Sequence, residues 1–501
     1  MVPEANTFII PAEEAAPGVA VHDVEPVNRP STRPAYVPRK KIHPRLVHGR
    51  FRTLKWALLL ITLGIYYSVP WLRWERGPNL PNQAVLVDVA NGRMYLLGLE
   101  IWPQDLYLLT GLLVLCALGL FLVTAIAGRV WCGYFCPQTV WTDLMIAVER
   151  LWQGDRSARI RLDSSPWNAR KILLKGMTHV SWIAIALATG GAWVFYFADA
   201  PTLAAALVHG TAPQAAYFFI GLFSLTTYLL GGLAREQVCI YMCPWPRIQG
   251  AMFDSDSLLI TYRDVRGEPR GPLRKSQGWQ GRGDCIDCKA CVAACPMGID
   301  IRDGMQLECI QCALCIDACD DIMDKVDRPR GLIAYDTFRG LQAESRTEPF
   351  SLPLIRPRTL LYSGLIVGVS ALMLWALANR SPVELSVLPD REPMYVRLSD
   401  GGVRNGYTIK ILNKRFEART YALSMEGLAS ARLSVAGEDG TGTAQISVVP
   451  DNLRELRVFV TINAADLAKL GRDRKAFRFI VRDLLDGTQT SHSADFRRPL
   501  P

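Results

Sequence analysis

Eight cysteines in two matched runs constrain this chain more than any other feature. Cys285-x2-Cys288-x2-Cys291-x3-Cys295-Pro296 is followed by Cys309-x2-Cys312-x2-Cys315-x3-Cys319, each cysteine displaced by 24 residues from its counterpart. That spacing is the ligand run of a pair of [4Fe–4S] cubanes, in which three cysteines of one run serve one cluster and the fourth crosses to the other. The expected ligand sets are therefore Cys285, Cys288, Cys291 and Cys319 for one cluster, and Cys309, Cys312, Cys315 and Cys295 for its twin. Zinc sites pair two CxxC hooks across a long spacer, so they account for the repeat less well. Asp320 stands where the second run would carry the counterpart of Pro296, a change expected to alter one cluster's surroundings while leaving its ligands in place.

The 501 residues are too many for one core and imply two or three domains. Half are apolar and a fifth charged, which points to membrane spans joined to soluble parts. Uncharged windows long enough to cross about 30 Å of hydrocarbon occur at 56–72, 106–128, 176–198, 215–234 and 359–379. The arm before the first window, the loop 129–175 and the segment 235–358 are rich in Lys and Arg; 73–105 has three and 199–214 none. By the positive-inside rule the N-terminus and the cysteine-rich insert are expected in the cytoplasm and the C-terminus outside. The net charge of +9 then reads as an orientation signal, with no nucleic-acid partner implied. About fifty polar, Pro-rich residues precede the first window, so no cleavable signal peptide is expected. In a reducing compartment, closely spaced thiols serve metal or redox chemistry rather than disulfides.

A second repeat adjoins the membrane part. Val130-Trp131-Cys132-Gly133-Tyr134-Phe135-Cys136-Pro137 follows the second window, and Val238-Cys239-Ile240-Tyr241-Met242-Cys243-Pro244 follows the fourth. Both contain Cys-x-Tyr-x-Cys-Pro. A spacing of i, i+4 places both sulfurs on one face of a helical turn, and the proline blocks its continuation. Four thiols could thus meet beneath the membrane, where soft thiolates, with Met242 adjacent, favour Cu(I), zinc or iron–sulfur over hard ions. The alternative is that these cysteines pack helix ends while Tyr and Trp mark the interface.

Other candidates carry less. Cys116 lies alone inside a window and reads as a small buried hydrophobe; His179 is an ionisable group inside another, expected to cap or pair near the interface. Residues 92–105 mix charge with aromatics and read as an interfacial belt, with a quinone or partner surface as the alternative. No Cys-x-x-Cys-His haem site, Gly-x-Gly-x-x-Gly fingerprint or P-loop is present. Past the fifth window, eight short β-rich segments at 383–388, 395–398, 407–412, 420–425, 431–435, 445–449, 456–462 and 477–482 suggest an immunoglobulin-like sandwich without cysteine. The expected domains are a largely disordered basic arm (1–53), a four-helix membrane region (54–250), a ferredoxin-like insert (251–357), a fifth transmembrane helix (358–379) and a periplasmic immunoglobulin-like domain (380–501).

The basic arm, the two Cys-x-Tyr-x-Cys-Pro motifs, the eight-cysteine insert and the terminal β-domain together resemble the CcoG family, also called FixG or RdxA, over nearly the whole chain. The resemblance implies a bacterial inner-membrane protein that reduces Cu(II) to Cu(I) during maturation of cbb3-type cytochrome c oxidase. It places the copper-handling role on Cys132, Cys136, Cys239 and Cys243. The partners it implies are a cytoplasmic or membrane electron donor, a copper chaperone or copper-exporting ATPase, oxidase assembly components and further copies of the chain. Single-electron clusters suit Cu(II) reduction, and thiolates pull it toward the softer product. A quinol-linked respiratory electron conduit and a non-catalytic assembly scaffold are the competing readings.

Overall fold

The computed structural model describes residues 19–27, 41–77, 80–273, 278–415, 417–428, 430–437, 443–467 and 474–498. The chain divides into two compact units, Met1–Glu75 with Pro81–Met373, and Arg76–Leu80 with Leu374–Pro501.

Among the described residues five helices are long and apolar enough to cross a bilayer: Arg50–Trp71, Pro103–Ala127, Ala169–Val194, Gln214–Ala234 and Pro357–Ala378. At most 22% of the apolar window of each is buried, so these helices turn large hydrophobic faces outward, as lipid-facing helices do. The third begins seven residues before the uncharged window. Its first turns can carry Lys171 and Lys175 because the ammonium of Lys171 reaches the carbonyls of Asp163 (2.9 Å) and Ser165 (2.6 Å), while that of Lys175 reaches Gln153 Oε1 (3.0 Å). The fourth changes to a π-helix over Tyr228–Ala234. Residues 92–105 belong mostly to an antiparallel meander of β1 (Val85–Asp88), β2 (Arg93–Leu96) and β3 (Leu99–Ile101), with Arg93 stacked 4.1 Å over Trp102.

The cysteine-rich insert pairs β4 (Leu259–Tyr262) with β5 (Ile333–Asp336) and packs two helices, Ala290–Ala294 and Leu314–Lys325, between them in sequence. The 24-residue repeat extends to the backbone: Asp287 and Lys289 adopt positive φ (52° and 56°), and so do their counterparts Gln311 and Ala313 (56° and 60°). The unmatched residue also finds its reason here. Cys295 caps the end of a five-residue helix, so Pro296 can follow. Cys319 sits inside a twelve-residue helix, where proline would remove a hydrogen bond and clash, and Asp320 instead accepts the Gly331 N–H at 2.9 Å.

The insert is bound to the membrane helices by its own carboxylates. Asp317 accepts the N–H groups of Phe51 (3.2 Å) and Arg52 (2.7 Å), capping the first span from 265 residues away. Any side chain at Gly49 would collide with that carboxylate. The described parts of the arm pair with the insert: Val27 donates to Gly298 O (2.8 Å), Arg45 N to Ala293 O (2.8 Å), and Val19 and Val24 pack on the insert's core. These apolar side chains and paired amides hold it down; residues 1–18 and 28–40 lie outside the described set.

The second unit is an all-β sandwich. One sheet runs β10 (Ala431–Val435), β12 (Asn452–Ile462), β8 (Val403–Asn413), β6 (Val383–Pro389), with β7 (Val396–Arg397) also on β8. The other runs β11 (Ala444–Val448), β9 (Arg419–Glu426), β13 (Arg474–Asp483), β14 (Gln489–Arg497). Alternating buried positions such as Tyr407, Ile409 and Ile411 face Tyr421, Leu423 and Phe479 in one core. β14 is a ninth strand that the sequence pattern did not predict, because Gln489-Thr-Ser-His-Ser-Ala-Asp carries almost no apolar residues.

Candidate redox site

Two cavities lie within the insert. Cys285, Cys288, Cys291 and Cys319 line one, with Tyr262 and Arg302. Cys295, Cys309, Cys312 and Cys315 line the other, with Cys291 on its edge. The structure thus brings together both sets of four that the spacing predicts, crossing cysteines included, and all eight are free thiols. Burial pushes Cys295 and Cys309 up to about 12, and raises Cys291, Cys315 and Cys319 as well. Buried thiols of this kind ionise only against a compensating cation, which cluster iron provides. Arg302 adds a donor, its guanidinium 3.8 Å from Cys285 Sγ and held by Asp287 (2.6 Å) and Asp300 (2.7 Å). Thiol number, grouping and burial therefore fit two [4Fe–4S] clusters.

The first membrane-proximal motif lies against the second cysteine run. A Cβ on Gly133 would stand 2.8 Å from Ile310 O and 2.9 Å from Gln311 O, so only glycine allows this approach. Tyr134 donates to Cys312 O at 3.3 Å, and the Arg129 N–H to Gln311 Oε1 at 2.6 Å. The buried Arg129 guanidinium also reaches Leu307 O, Cys309 O (3.3 Å) and Pro246 O, tying the first motif to both the second run and the second motif. Cys132 donates to Oε1 of the fully buried Gln249 at 3.1 Å, whose amide in turn donates to Thr124 at 3.2 Å.

The two motifs close in the same way. Cys136 N–H donates to Trp131 O (2.9 Å) and Cys243 N–H to Val238 O (2.8 Å), each spanning five residues. The expectation of two sulfurs on one regular helical face needs correction: Cys132 lies in the helix Val130–Tyr134 and Cys136 in extended backbone, while Cys239 lies in the π-turn Val238–Met242 and Cys243 in extended backbone. The proline after each second cysteine forces that break. The four thiols remain close enough to feel one another's charge. Burial first, then Cys136, Cys132 and Cys243, raise Cys239 to about 12; Cys132 also rises to about 12 and Cys136 rises. Met242 is 63% exposed; the Met297 side chain shares a cavity with Cys239, Pro296 and Ile310.

Sequence reasoning passed over Arg129, Gly133, Gln249, Gln311 and Met297. Only the glycine inside Cys132-Gly133-Tyr134, matched by Ile240 in the second motif, offered a signal.

Comparison with known proteins agrees with this architecture. Residues 234–338 match a 4Fe-4S dicluster domain, 109–153 a 4Fe-4S binding domain, and 373–499 the IG-like fold at the C-terminal of FixG. The chain is 48% identical over 509 aligned residues to the nitrogen fixation protein FixG of Rhizobium meliloti, covering 95% of this chain and 96% of that one. It is 49% identical to protein RdxB of Cereibacter sphaeroides, covering 93% and 98%, and 52% identical to RdxA of the same organism, covering 82% and 87%. A crystal structure of a FixG-related protein from Vibrio parahaemolyticus is 26% identical over 24% of this chain and 99% of its own, with a TM-score of 0.20. With relatives this similar over almost their whole length, and with apolar helices, dicluster insert and terminal sandwich all in place, the chain belongs to the FixG/RdxA family of membrane iron–sulfur redox proteins.

Proposed function

We propose that this protein reduces Cu(II) to Cu(I) at Cys132, Cys136, Cys239 and Cys243, supplying copper for maturation of a cbb3-type cytochrome c oxidase. The observation that carries the reading is the contact of Gly133 and Tyr134 with the backbone of Ile310–Cys312, between two thiols of the second cysteine cavity. The two clusters, held by Cys285, Cys288, Cys291 and Cys319 and by Cys295, Cys309, Cys312 and Cys315, supply one-electron redox capacity. Copper is the substrate, Cu²⁺ + e⁻ → Cu⁺. Soft thiolates stabilise the product. Gln249 fixes the Cys132 thiol, and Arg129 keeps the two motifs in register with the second run. The bacterial inner membrane, cytoplasmic arm and insert, periplasmic sandwich, and release to a copper chaperone or exporting ATPase are parts of the same reading, supported by the Lys/Arg distribution.

The test is anaerobic. Protein reduced with dithionite and freed of excess reductant receives stoichiometric Cu(II) while cluster absorbance and a Cu(I)-specific chromophore are followed. Cluster reoxidation and Cu(I) formation should rise together and be lost when the four cysteines become serine. Clusters that stay reduced would refute the proposal.

A further inference from the structure

The electron donor has no assigned site, and one cavity offers the chemistry for it. A chamber of about 240 Å³ lies among the third span, the fourth span's π-helical segment and the helix Pro137–Gln153, lined by Glu149, Lys175, His179, Trp182, Gly232 and Arg235 among others. π-Helical turns inside α-helices occur frequently at functional sites. His179 hydrogen-bonds the Tyr228 hydroxyl through Nδ1 at 2.9 Å, and its ring meets Trp182 edge-on at 5.2 Å. We propose that this chamber binds the head group of a membrane quinol.

Three observations choose that ligand class. First, each cation around the chamber already has a carboxylate partner: Glu149 pairs with Lys41, Arg159 and Arg235, each at 3.0 Å, and Asp163 with Lys41 (3.2 Å) and Lys175. A phosphate would have to compete with these carboxylates for its cations, whereas a neutral dihydroxylated ring needs only polar contacts against an aromatic wall. Second, the flanking surface is apolar and outward-facing, with Val180, Ile183, Leu229 and Leu233 39–61% exposed, a path for an isoprenoid tail in lipid. Third, Arg235 lines both this chamber and the neighbouring cavity that holds Cys239, Pro296 and Met297, so the proposed quinol site and the redox site share a wall residue.

Oxidation breaks both quinol O–H bonds and releases two protons and two electrons; the oxidants are two oxidised iron–sulfur clusters, which take one electron each. Glu149 is no proton acceptor: burial opposes its charge, yet Arg235, Lys41 and Arg159 hold its carboxyl far below the usual carboxylate range. The imidazole of His179 is the base that lines the chamber, and Lys41, 40% exposed, marks the way to water.

A photoactivatable azidobenzoquinone, applied to the purified full chain in detergent, should label peptides covering 175–182 or 228–235. Excess unlabelled quinone should suppress the label, and His179→Phe should lower it at least tenfold. Duroquinol, without copper, should bleach the iron–sulfur absorbance anaerobically, tenfold slower in His179→Phe and severalfold slower in Tyr228→Phe, the milder variant that carries the test if the first loses its clusters. Label outside these segments, label displaced by anionic phospholipid but not by quinone, or labelling without bleaching would each overturn the proposal.

Discussion

The two thiol pairs share a closing hydrogen bond but not a neighbourhood. In the first, Cys132 is buried and donates to Gln249, Gly133 touches the backbone of the second cysteine run, and Tyr134 bonds Cys312 O. In the second, Ile240 replaces the glycine, and Tyr241 and Met242 are 62% and 63% exposed. Both copies touch the insert, the first through Gly133 and Tyr134 and the second through Cys239 and Ile240 packed on its core, so the division between them is one of exposure: Tyr134 is buried, whereas Tyr241 and Met242 are open. The two cysteine runs also diverge. The first ends its helix before Pro296; the second continues past Cys319 and sets Asp320 on Gly331, while Asp317, at the position of Ala293 in the first run, caps the first span.

Substitutions that make the copies alike should break this division. Restoring the pattern with Asp320→Pro should destabilise the insert by about 3 kcal/mol, since it places proline inside the helix, and should lower iron content; thermal unfolding and iron-to-protein ratio read both. Gly133→Val forces a Cβ onto two backbone carbonyls and should cost about 1–3 kcal/mol and at least tenfold in cupric reduction, whereas Ile240→Val should cost only about 1 kcal/mol. Gln249→Leu leaves Cys132 and Thr124 without their partner, a loss of about 1–3 kcal/mol in denaturant unfolding. Asp317→Ala uncaps the first span at a cost of about 1 kcal/mol.

A separate effect is in pH. Burial raises the Cys132 and Cys239 thiols from an ordinary value of 9.0 to about 12, so their neutral forms are the folded ones. The stability they contribute in metal-free protein is complete below pH 9 and declines as pH rises from there toward 12. Alkylation of Cys132 followed by mass spectrometry should therefore stay slow through pH 9 and accelerate above it.

Spacing exposed what is local. The eight ligand cysteines, the five apolar helices and eight of the nine described strands of the sandwich can be read from short windows, because each depends on residues a few positions apart. What escaped depends on partners far along the chain: Arg129 meets Cys309, Gln249 meets Cys132 and Asp317 meets Arg52, pairs separated by 117 to 265 residues that leave no mark on periodicity. Met242 attracted notice by adjacency, yet backbone geometry turns it outward and supplies Met297 from the insert instead.

The most direct measurement is rapid-freeze EPR on reduced protein mixed with one equivalent of Cu(II). The account predicts that the cupric and reduced-cluster signals vanish together, one spin of each, and that Cys132→Ser with Cys136→Ser abolishes the loss. A cupric signal that persists beside fully reduced clusters would contradict it.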